Sequence, residues 1–429
     1  MATNLVRTQL AQGVNLSVLN DPKFKHNRLS VNLVVPLDEE TVSGYAVLPF
    51  LMRKGCKSCD DFTKLNRRLD SLYGAVLAAD VAKAGANQII TLGVKVLDDK
   101  YAFDGETLLK SAAELLRELV FEPLIENDSF DESSFALEKQ FLIDTIEAQI
   151  NDKRSFAVSQ CRKLMGRGDA AAIQKYGSVD NAKALTAASA AKSYKQLMEK
   201  ASIEIMLTGS GCPDEAAGVM KRAFEDLKRD NAPFAKPGIH AAGSEVLEQV
   251  ERLDVAQSKM VLGFRMAERG DAKTKAAVRL MTALYGGTPS SKLFLNVREK
   301  LSLCYYCAAR YDRSSAIMLV DCGVENENIT AAREEILRQL EAIRNGDFED
   351  ETLENTRLQI KNSLRAVTDY PDTIEEWYLS RIIAGEITST EDEMKLLEDV
   401  TREQVIEAAK LMQLDAVYLL TSKEDKDAD

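Results

Sequence analysis

Two Cys-x-x-Cys pairs are the side chains of this sequence with the clearest capacity to hold a metal ion. They are Cys56-Lys-Ser-Cys59 and Cys304-Tyr-Tyr-Cys307. Four cysteines form a common structural zinc site, but these two pairs lie more than 240 residues apart. The second pair falls in a strand-like run, where side chains three residues apart are expected to point to opposite faces. We therefore interpret the cysteines as buried thiols and predict no metal site.

Nucleophilic catalysis has few candidate general bases in this sequence. Ser290-Ser291 and the cysteines are candidate nucleophiles, but a catalytic triad needs a base such as histidine beside the nucleophile. The sequence has two histidines, His26 and His240, far apart and without metal-ligand spacing. We interpret both as surface or loop residues. Of the three functional hypotheses considered in this subsection, an independent hydrolase with a serine or cysteine nucleophile is therefore the weakest.

Composition indicates a large cytoplasmic protein. A chain of 429 residues is too long for one typical core, so two or more domains are expected. The net charge of −13 argues against nucleic acid and anionic membranes as partners. No apolar run approaches the ~20 residues that span a bilayer, and the sequence from Met1 to Arg7 has no signal-peptide pattern. Seven cysteines, an odd number, favour reduced thiols in the cytosol.

An internal duplication is visible in the sequence. Leu115-Leu-Arg-Glu-Leu119 is echoed by Ile336-Leu-Arg-Gln-Leu340, and Phe130-Asp-Glu-Ser-Ser-Phe135 is echoed by Phe348-Glu-Asp-Glu-Thr-Leu353. The order is kept and the spacing nearly so. A repeat of ~220 residues is far too long for a solenoid, so it predicts two homologous domains.

Strand and helix patterns in both halves define the domains that must position any site. Apolar runs predict strands at 29–35 and 203–208 in the first half, and at 259–264 and 416–421 in the second. Apolar residues at three- and four-residue intervals predict long helices at 132–151 and 351–367. We predict an α+β fold of two domains, each a mainly antiparallel sheet backed by helices. The expected boundaries are 1–228 for the first domain, 229–245 for a linker rich in Pro, Ala and Gly, and 246–429 for the second.

The most specific motif lies in the second half. Gly286-Gly-Thr-Pro-Ser-Ser-Lys-Leu-Phe294 is followed by Val297-Arg-Glu-Lys-Leu-Ser-Leu-Cys-Tyr305, and in the first half an apolar run precedes Lys54-Gly55. These segments resemble the insulinase/pitrilysin superfamily of zinc peptidases, and the resemblance extends over about 13–422. The sequence is most similar to the bacterial two-subunit form related to mitochondrial processing peptidase, including a group associated with aminopentanol modification of elongation factor P. The resemblance implies a clamshell arrangement of the two domains.

The resemblance also implies that the catalytic site of the first half has been lost. The family carries His-x-x-Glu-His on its first helix, where this sequence has Ala46, Pro49 and Phe50. The family's third zinc ligand lies seven residues after a Glu that matches Glu138, and that position holds Thr145. None of the four residues offers an imidazole or a carboxylate. We therefore expect no zinc, no other cofactor and no peptidase activity, and Pro49 predicts a kink or break in its helix.

In the family, an Arg and a Tyr of the second-half motif reach the substrate backbone, and they match Arg298 and Tyr305. The structural alternatives are a salt-bridged helix arginine and a core strand tyrosine. Gly286-Gly287 matches a glycine turn that contacts substrate in non-catalytic processing subunits. The resemblance thus implies a non-catalytic, substrate-presenting subunit of a peptidase heterodimer, whose catalytic partner keeps His-x-x-Glu-His. The other hypothesis is a catalytically dead peptide-binding or scaffold protein. The expected assembly is a hetero- or homodimer.

Overall fold

The computed structural model describes residues 5–166, 168–225, 227 and 229–422. In these residues the strands are β1 (Leu5–Ala11), β2 (Val14–Asn20), β3 (His26–Pro36), β4 (Val76–Ala84), β5 (Asn87–Leu97), β6 (Ile125–Glu126), β7 (Ser129–Phe130), β8 (Ser202–Gly209), β9 (Leu247–Leu253), β10 (Ser258–Arg265), β11 (Cys304–Asp312), β12 (Ile317–Val324) and β13 (Gln413–Ser422). The predicted strands at 29–35, 203–208, 259–264 and 416–421 are therefore confirmed as parts of β3, β8, β10 and β13.

The α-helices of the same residues are α1 (Val42–Ala46), α2 (Leu48–Met52), α3 (Phe62–Ser71), α4 (Leu108–Phe121), α5 (Glu132–Ala148), α6 (Lys153–Met165), α7 (Val179–Ala184), α8 (Ala187–Lys200), α9 (Asp214–Glu225), α10 (Ala272–Thr282), α11 (Ile329–Arg344), α12 (Asp350–Val367), α13 (Pro371–Ala384), α14 (Thr390–Glu398) and α15 (Arg402–Leu411). Two π-helical segments cover Ala283–Gly287 and Leu293–Lys300. The two long helices predicted at 132–151 and 351–367 correspond to α5 and α12. No helix in the described ranges is long and apolar enough to cross a membrane.

The chain forms two compact units, each discontinuous in sequence. The first contains the described residues of Met1–Glu147, Ile173–Lys236 and Val367–Ser389, and the second those of Ala148–Ala172, Pro237–Ala366 and Thr390–Asp429. Each is a mainly antiparallel sheet backed by helices, so the predicted α+β class is confirmed. The sequence predicted contiguous domains at 1–228 and 246–429. The units differ from these domains because one helical segment of each half packs in the other unit.

The two sheets share one strand order, which is the structural counterpart of the repeat in the sequence. The first sheet has the order β1-β2-β8-β3-β5-β4, and the second has the order β11-β12-β10-β13-β9. Reading the second sheet in reverse gives β9-β13-β10-β12-β11, which matches the first sheet without β1. The parallel pair is equivalent in both, β2 with β8 and β9 with β13, and the other neighbours are antiparallel.

Helices α6 and α13 each pack in the unit that is formed mainly by the other half of the sequence. Helix α6 follows α5 but packs on β10 and β13 of the second unit, whereas α13 follows α12 but packs on β3 and β8 of the first. These strands are equivalent under the repeat, so the exchange is reciprocal. Apolar side chains seat each helix: Cys161 and Met165 of α6 join a core with Val261, while Ile374 and Tyr378 of α13 join one with Met206.

A buried ion pair ties α13 to the sheet of the first unit. Glu375 of α13 is 4% exposed. Its carboxylate accepts hydrogen bonds from Arg28 Nε at 2.6 Å and from Ser30 Oγ at 2.7 Å, both on β3. Arg28 also lies 3.0 Å from Asp372, which is half exposed. Because a buried carboxylate is costly unless it is paired and hydrogen-bonded, these contacts determine where α13 lies on the sheet.

Candidate functional site

A helix break separates the two positions at which the sequence resemblance places histidines. Helix α1 ends at Ala46, and α2 begins at Leu48 with Pro49 in its first turn. Proline has no N–H to donate to the preceding turn and its ring crowds that turn, so it is tolerated only at the start of a helix. The break predicted at Pro49 is confirmed. Val47, the single residue between the two helices, keeps helical φ and ψ, so the interruption is confined to the hydrogen bond that Pro49 cannot donate.

Phe50 fills the space beside this break with an aromatic side chain. It is 6% exposed, and its ring meets that of Phe141 on α5 edge to face, with centroids 5.1 Å apart. The Arg53 guanidinium lies 5.2 Å from the Phe50 centroid and 5.8 Å from the Phe141 centroid. Ala46 is fully buried. Aromatic packing beneath an arginine thus occupies the place that the sequence resemblance assigns to metal-binding groups.

Glu138 is the residue that matches an acidic position of the family in the sequence resemblance. Two cationic side chains of the protein itself lie beside its carboxylate. Glu138 is 4% exposed. Lys54 Nζ lies 2.6 Å from one carboxylate oxygen, and Arg53 Nη2 lies 3.7 Å from the other. That second oxygen has no hydrogen-bond partner within the described residues. The Glu138 carboxylate therefore forms ion pairs with two positively charged side chains of the protein itself.

Thr145 lies one helical turn beyond this cluster and uses its hydroxyl locally. Its Oγ1 donates to the backbone oxygen of Phe141 at 2.7 Å, the i−4 hydrogen bond typical of threonine within a helix. Across the described ranges, no three or more His, Cys, Asp and Glu side chains are grouped so that they could hold a metal ion. Ala46 and Phe50 are buried, whereas Phe141, which packs on Phe50, is 44% exposed, and none of these side chains is a zinc ligand.

The histidines and the two serines have no arrangement that suggests nucleophilic catalysis. His26 begins β3 and His240 lies between α9 and β9, and both are exposed. Ser291 is fully buried, and its Oγ accepts from the backbone N–H of Phe294 at 3.4 Å. Ser290 Oγ accepts from Gln359 Nε2 at 3.3 Å. The Ser291 hydroxyl therefore serves its own segment, and the Ser290 hydroxyl links that segment to α12.

Tyr305 projects from the edge strand of the second sheet at a β-bulge. The register between β11 and β12 shifts between Cys304 and Tyr306, so Tyr305 is the inserted residue. Bulges redirect a side chain and are frequent beside functional sites. Tyr305 is 66% exposed, so it is not a core strand tyrosine. Ser302, three residues earlier, has φ +50°, a strained backbone conformation for a residue other than glycine.

Arg298 lies in the π-helical segment Leu293–Lys300, which packs against β11. Its guanidinium lies 4.6 Å from the ring centroid of Phe294, and its Nε lies 3.5 Å from Glu299 Oε1. The side chain is 42% exposed. The Phe294 ring covers one side of the guanidinium. The contact between the guanidinium and Glu299 is long and open to water. N–H donors of Arg298 therefore remain accessible to solvent.

Gly286 and Gly287 have different environments at the end of the other π-helical segment. A Cβ on Gly286 would lie 2.7 Å from the backbone nitrogen of Ala309 in β11, which is closer than real Cβ atoms approach. Gly286 is therefore required by the packing of this segment on the strand. Gly287 is exposed, and the nearest atom to a Cβ there would be Ala283 Cβ at 3.4 Å. Of the pair, Gly287 has the room that a ligand would need.

The expectation that Cys304 and Cys307 point to opposite faces of their strand is wrong. The bulge at Tyr305 adds one residue, so both side chains turn to the buried face, where Cys307 pairs across the sheet with Cys322. The thiol contact with Cys307 lowers the pKa of Cys304, whereas the contacts with Cys304 and then Cys322 raise the pKa of Cys307. All three thiols are free and buried, as expected for the cysteine pairs, whereas Cys212 is exposed.

Comparisons with known proteins agree with this geometry. The model of the family described as "Peptidase M16 inactive domain" matches residues 184–360, which include Gly286, Arg298 and Tyr305. A probable inactive metalloprotease of Bacillus subtilis, YmfF, is 29% identical over 96% of this chain and 96% of its own length. The crystal structure of a conserved protein from Enterococcus faecalis has a TM-score of 0.90 at 28% identity, covering 99% of this chain and 100% of that one. The chain is thus similar to a peptidase M16 inactive domain over 184–360 and to a probable inactive metalloprotease over nearly its whole length.

The two-domain M16 fold is also shared with more distant structures. A structure described as a peptidase M16 inactive domain, from Pseudomonas fluorescens, has a TM-score of 0.79 at 18% identity and covers 99% of this chain and 100% of that one. Sequence reasoning assigned the ligand positions to Ala46, Phe50 and Thr145 from the resemblance, but it missed Phe141, which packs on Phe50. The signal for Phe141 was weak because an aromatic residue on a long helix is usually a core residue and seldom indicates a filled site.

Restoring the first-helix motif is not expected to restore zinc binding. The triple variant Ala46→His, Pro49→Glu and Phe50→His still has Thr145 in place of the third ligand, and Phe141 and Arg53 still cover the space. Metal analysis after zinc loading and dialysis should find far less than one zinc per chain, without peptide cleavage. Adding Thr145→Glu is the matched variant that supplies the third ligand. Tight stoichiometric zinc in the triple variant would contradict this account.

Proposed function

We propose that this chain is the non-catalytic, substrate-presenting subunit of a heterodimeric zinc metallopeptidase acting on peptides or unfolded segments in the cytoplasm. The observation that carries the proposal is the contrast between the two halves. The positions that the resemblance assigns to catalytic groups hold Phe50 and its neighbours, while Tyr305 is exposed on a bulge. Tyr305 is therefore available for contacts outside its own fold.

Tyr305 and Arg298 offer the donors that an extended peptide needs. The phenolic hydroxyl of Tyr305 has no hydrogen-bond partner among the described residues and can donate to a peptide carbonyl. Arg298 presents several N–H donors from a guanidinium supported by Phe294. Both donors come from elements packed against each other, since the π-helical segment lies on β11. Contacts to the peptide backbone hold a substrate regardless of its sequence, which suits unfolded segments.

The partner supplies the chemistry that this chain lacks. It carries the intact His-x-x-Glu-His and the third carboxylate ligand, so its zinc can polarise the scissile carbonyl and activate water. In this division of labour, one subunit cleaves and the other orients the peptide. Orientation alone contributes substantially to rate, because it converts a random encounter into a fixed geometry.

Co-expression with an intact homologue encoded in the same genome tests the proposal. The two chains are expected to co-purify as a heterodimer of defined mass and to cleave an unstructured fluorogenic peptide, with inhibition by a zinc chelator. A catalytically dead peptide-binding or scaffold protein would bind the same peptide without forming such a pair. Cleavage by this chain alone, after removal of every trace of the partner, would point to a relocated hydrolase site and contradict the proposal.

A further inference from the structure

An almost fully exposed phenylalanine stands on an ordered loop of the first unit. Phe103 is 89% exposed, and Tyr101 on the same loop is 42% exposed. The loop joins β5 to α4. Exposing a large apolar ring to water is unfavourable. The exposure of Phe103 therefore suggests a binding role only if the loop conformation prevents the ring from being buried. The contacts of the loop show what holds the ring outward.

Tyr73 fixes the loop in this conformation. The backbone N–H of Phe103 donates to the Tyr73 hydroxyl at 3.0 Å, and that hydroxyl in turn donates to both Glu106 carboxylate oxygens, at 3.0 and 3.1 Å. The Tyr73 and Phe103 rings lie 5.8 Å apart at an angle of 33°. Tyr73 itself has φ +59°, a conformation that costs free energy in a tyrosine. The two rings and the carboxylate thus form one rigid group.

The charge around the rings is negative. The loop from Asp98 to Thr107 contains four carboxylates and one lysine. Asp104 and Glu106 are both exposed beside Phe103, and the backbone N–H of Asp104, with the Tyr73 hydroxyl, lowers the pKa of Glu106, so this carboxylate is charged at neutral pH. The lysine, Lys100, donates to Ser210 Oγ at 3.0 Å and lies 5.1 Å from the ring centroid of Tyr101. It therefore does not neutralise the carboxylates beside Phe103.

We propose that Phe103, Tyr73, Asp104 and Glu106 form a docking surface for an arginine-bearing segment of a protein partner. A guanidinium stacks on an aromatic face and pairs with carboxylates at its edge, and this surface presents both features. A purely apolar partner would leave the carboxylates desolvated and unpaired. The surface lies within one unit and does not depend on the proposed peptidase pairing, so either proposal can fail without the other.

Fluorine NMR on the full chain tests this surface directly. The chain is labelled with 4-fluorophenylalanine, and the Phe103→Leu variant identifies the Phe103 resonance by its disappearance. Acetyl-Gly-Arg-Gly-Arg-Gly-amide is expected to shift that resonance saturably, with weaker binding at high salt. Phe62 is the internal control: it is 58% exposed, but its ring already faces Lys54 at 6.0 Å, so its resonance should not follow the peptide.

Glu106→Gln tests the charge without removing the hydrogen-bond acceptor for Tyr73. It should weaken the arginine peptide by roughly two- to fivefold, the size of one exposed ion pair, while the other fluorine resonances stay in place and show that the fold is intact. An equal shift with Glu- or Leu-containing peptides would overturn the proposal. So would a Phe103 shift that depends on protein concentration alone, since the occupant would then be a second copy, and so would the absence of any saturable shift.

Discussion

Replacing Glu375 by alanine is expected to lower the free energy of unfolding by about 3 kcal/mol, the lower end of the cost of removing one partner from a buried ion pair. The variant leaves Arg28 and Ser30 of β3 without the carboxylate that they contact. Arg28 keeps Asp372 at 3.0 Å, which is why we do not expect the full penalty. Urea unfolding followed by circular dichroism measures the change.

Glu376→Ala is the matched control for this prediction. Glu376 is the next residue of the same helix but is exposed, so its removal should change stability by less than about 0.5 kcal/mol, as usual for surface substitutions. Equal effects of the two substitutions would show that the ion pair does not hold α13. Helix α13 comes from the second half of the sequence but packs on the sheet of the first unit. The same result would show that the Glu375 ion pair does not explain this packing.

Tyr305→Phe is expected to slow peptide cleavage by the heterodimer roughly ten- to hundredfold, which corresponds to the loss of one hydrogen bond of about 1–3 kcal/mol to the substrate. Arg298→Ala should act in the same direction. Neither side chain is buried, so complex formation and melting temperature should stay nearly unchanged. The measurement is kcat/KM of the purified pair together with its melting temperature.

Tyr370→Phe is the control for the loss of a phenolic hydroxyl. Tyr370 is 65% exposed, almost the same as Tyr305 at 66%, but it precedes α13 and has no proposed role in substrate binding. Its variant should cleave at the wild-type rate. If Tyr305→Phe and Arg298→Ala also cleave at that rate, both residues are structural and the substrate-presenting role is wrong.

The sequence predicted the local elements of the fold well because their signals are local. Apolar runs located β3, β8, β10 and β13, and helical spacing located α5 and α12. The break at Pro49 followed from the covalent structure of proline. Two homologous domains followed from the repeat, which the equivalent order of the two sheets confirms.

Features that depend on distant contacts were not predictable from these patterns. The apolar stripe of α13 is compatible with either sheet, so its spacing does not reveal that it packs on β3 and β8 of the other half. The sequence pattern of strand-forming residues does not reveal the bulge at Tyr305. A regular strand was therefore assumed, which placed Cys304 and Cys307 on opposite faces. Phe50 was assigned to a ligand position from the resemblance alone, and its packing against Phe141 is visible only in the three-dimensional structure. Similarly, the exposure of Phe103 depends on Tyr73, thirty residues away.

The most direct test of the central claim is a titration of this chain into a fixed amount of the intact homologue while peptide cleavage is measured. The account predicts that the homologue alone cleaves poorly, that this chain alone does not cleave, and that the rate rises until one chain is present per partner and then stays constant. A homologue that is fully active alone and unaffected by this chain would contradict the account, as would a rate that keeps rising in proportion to this chain.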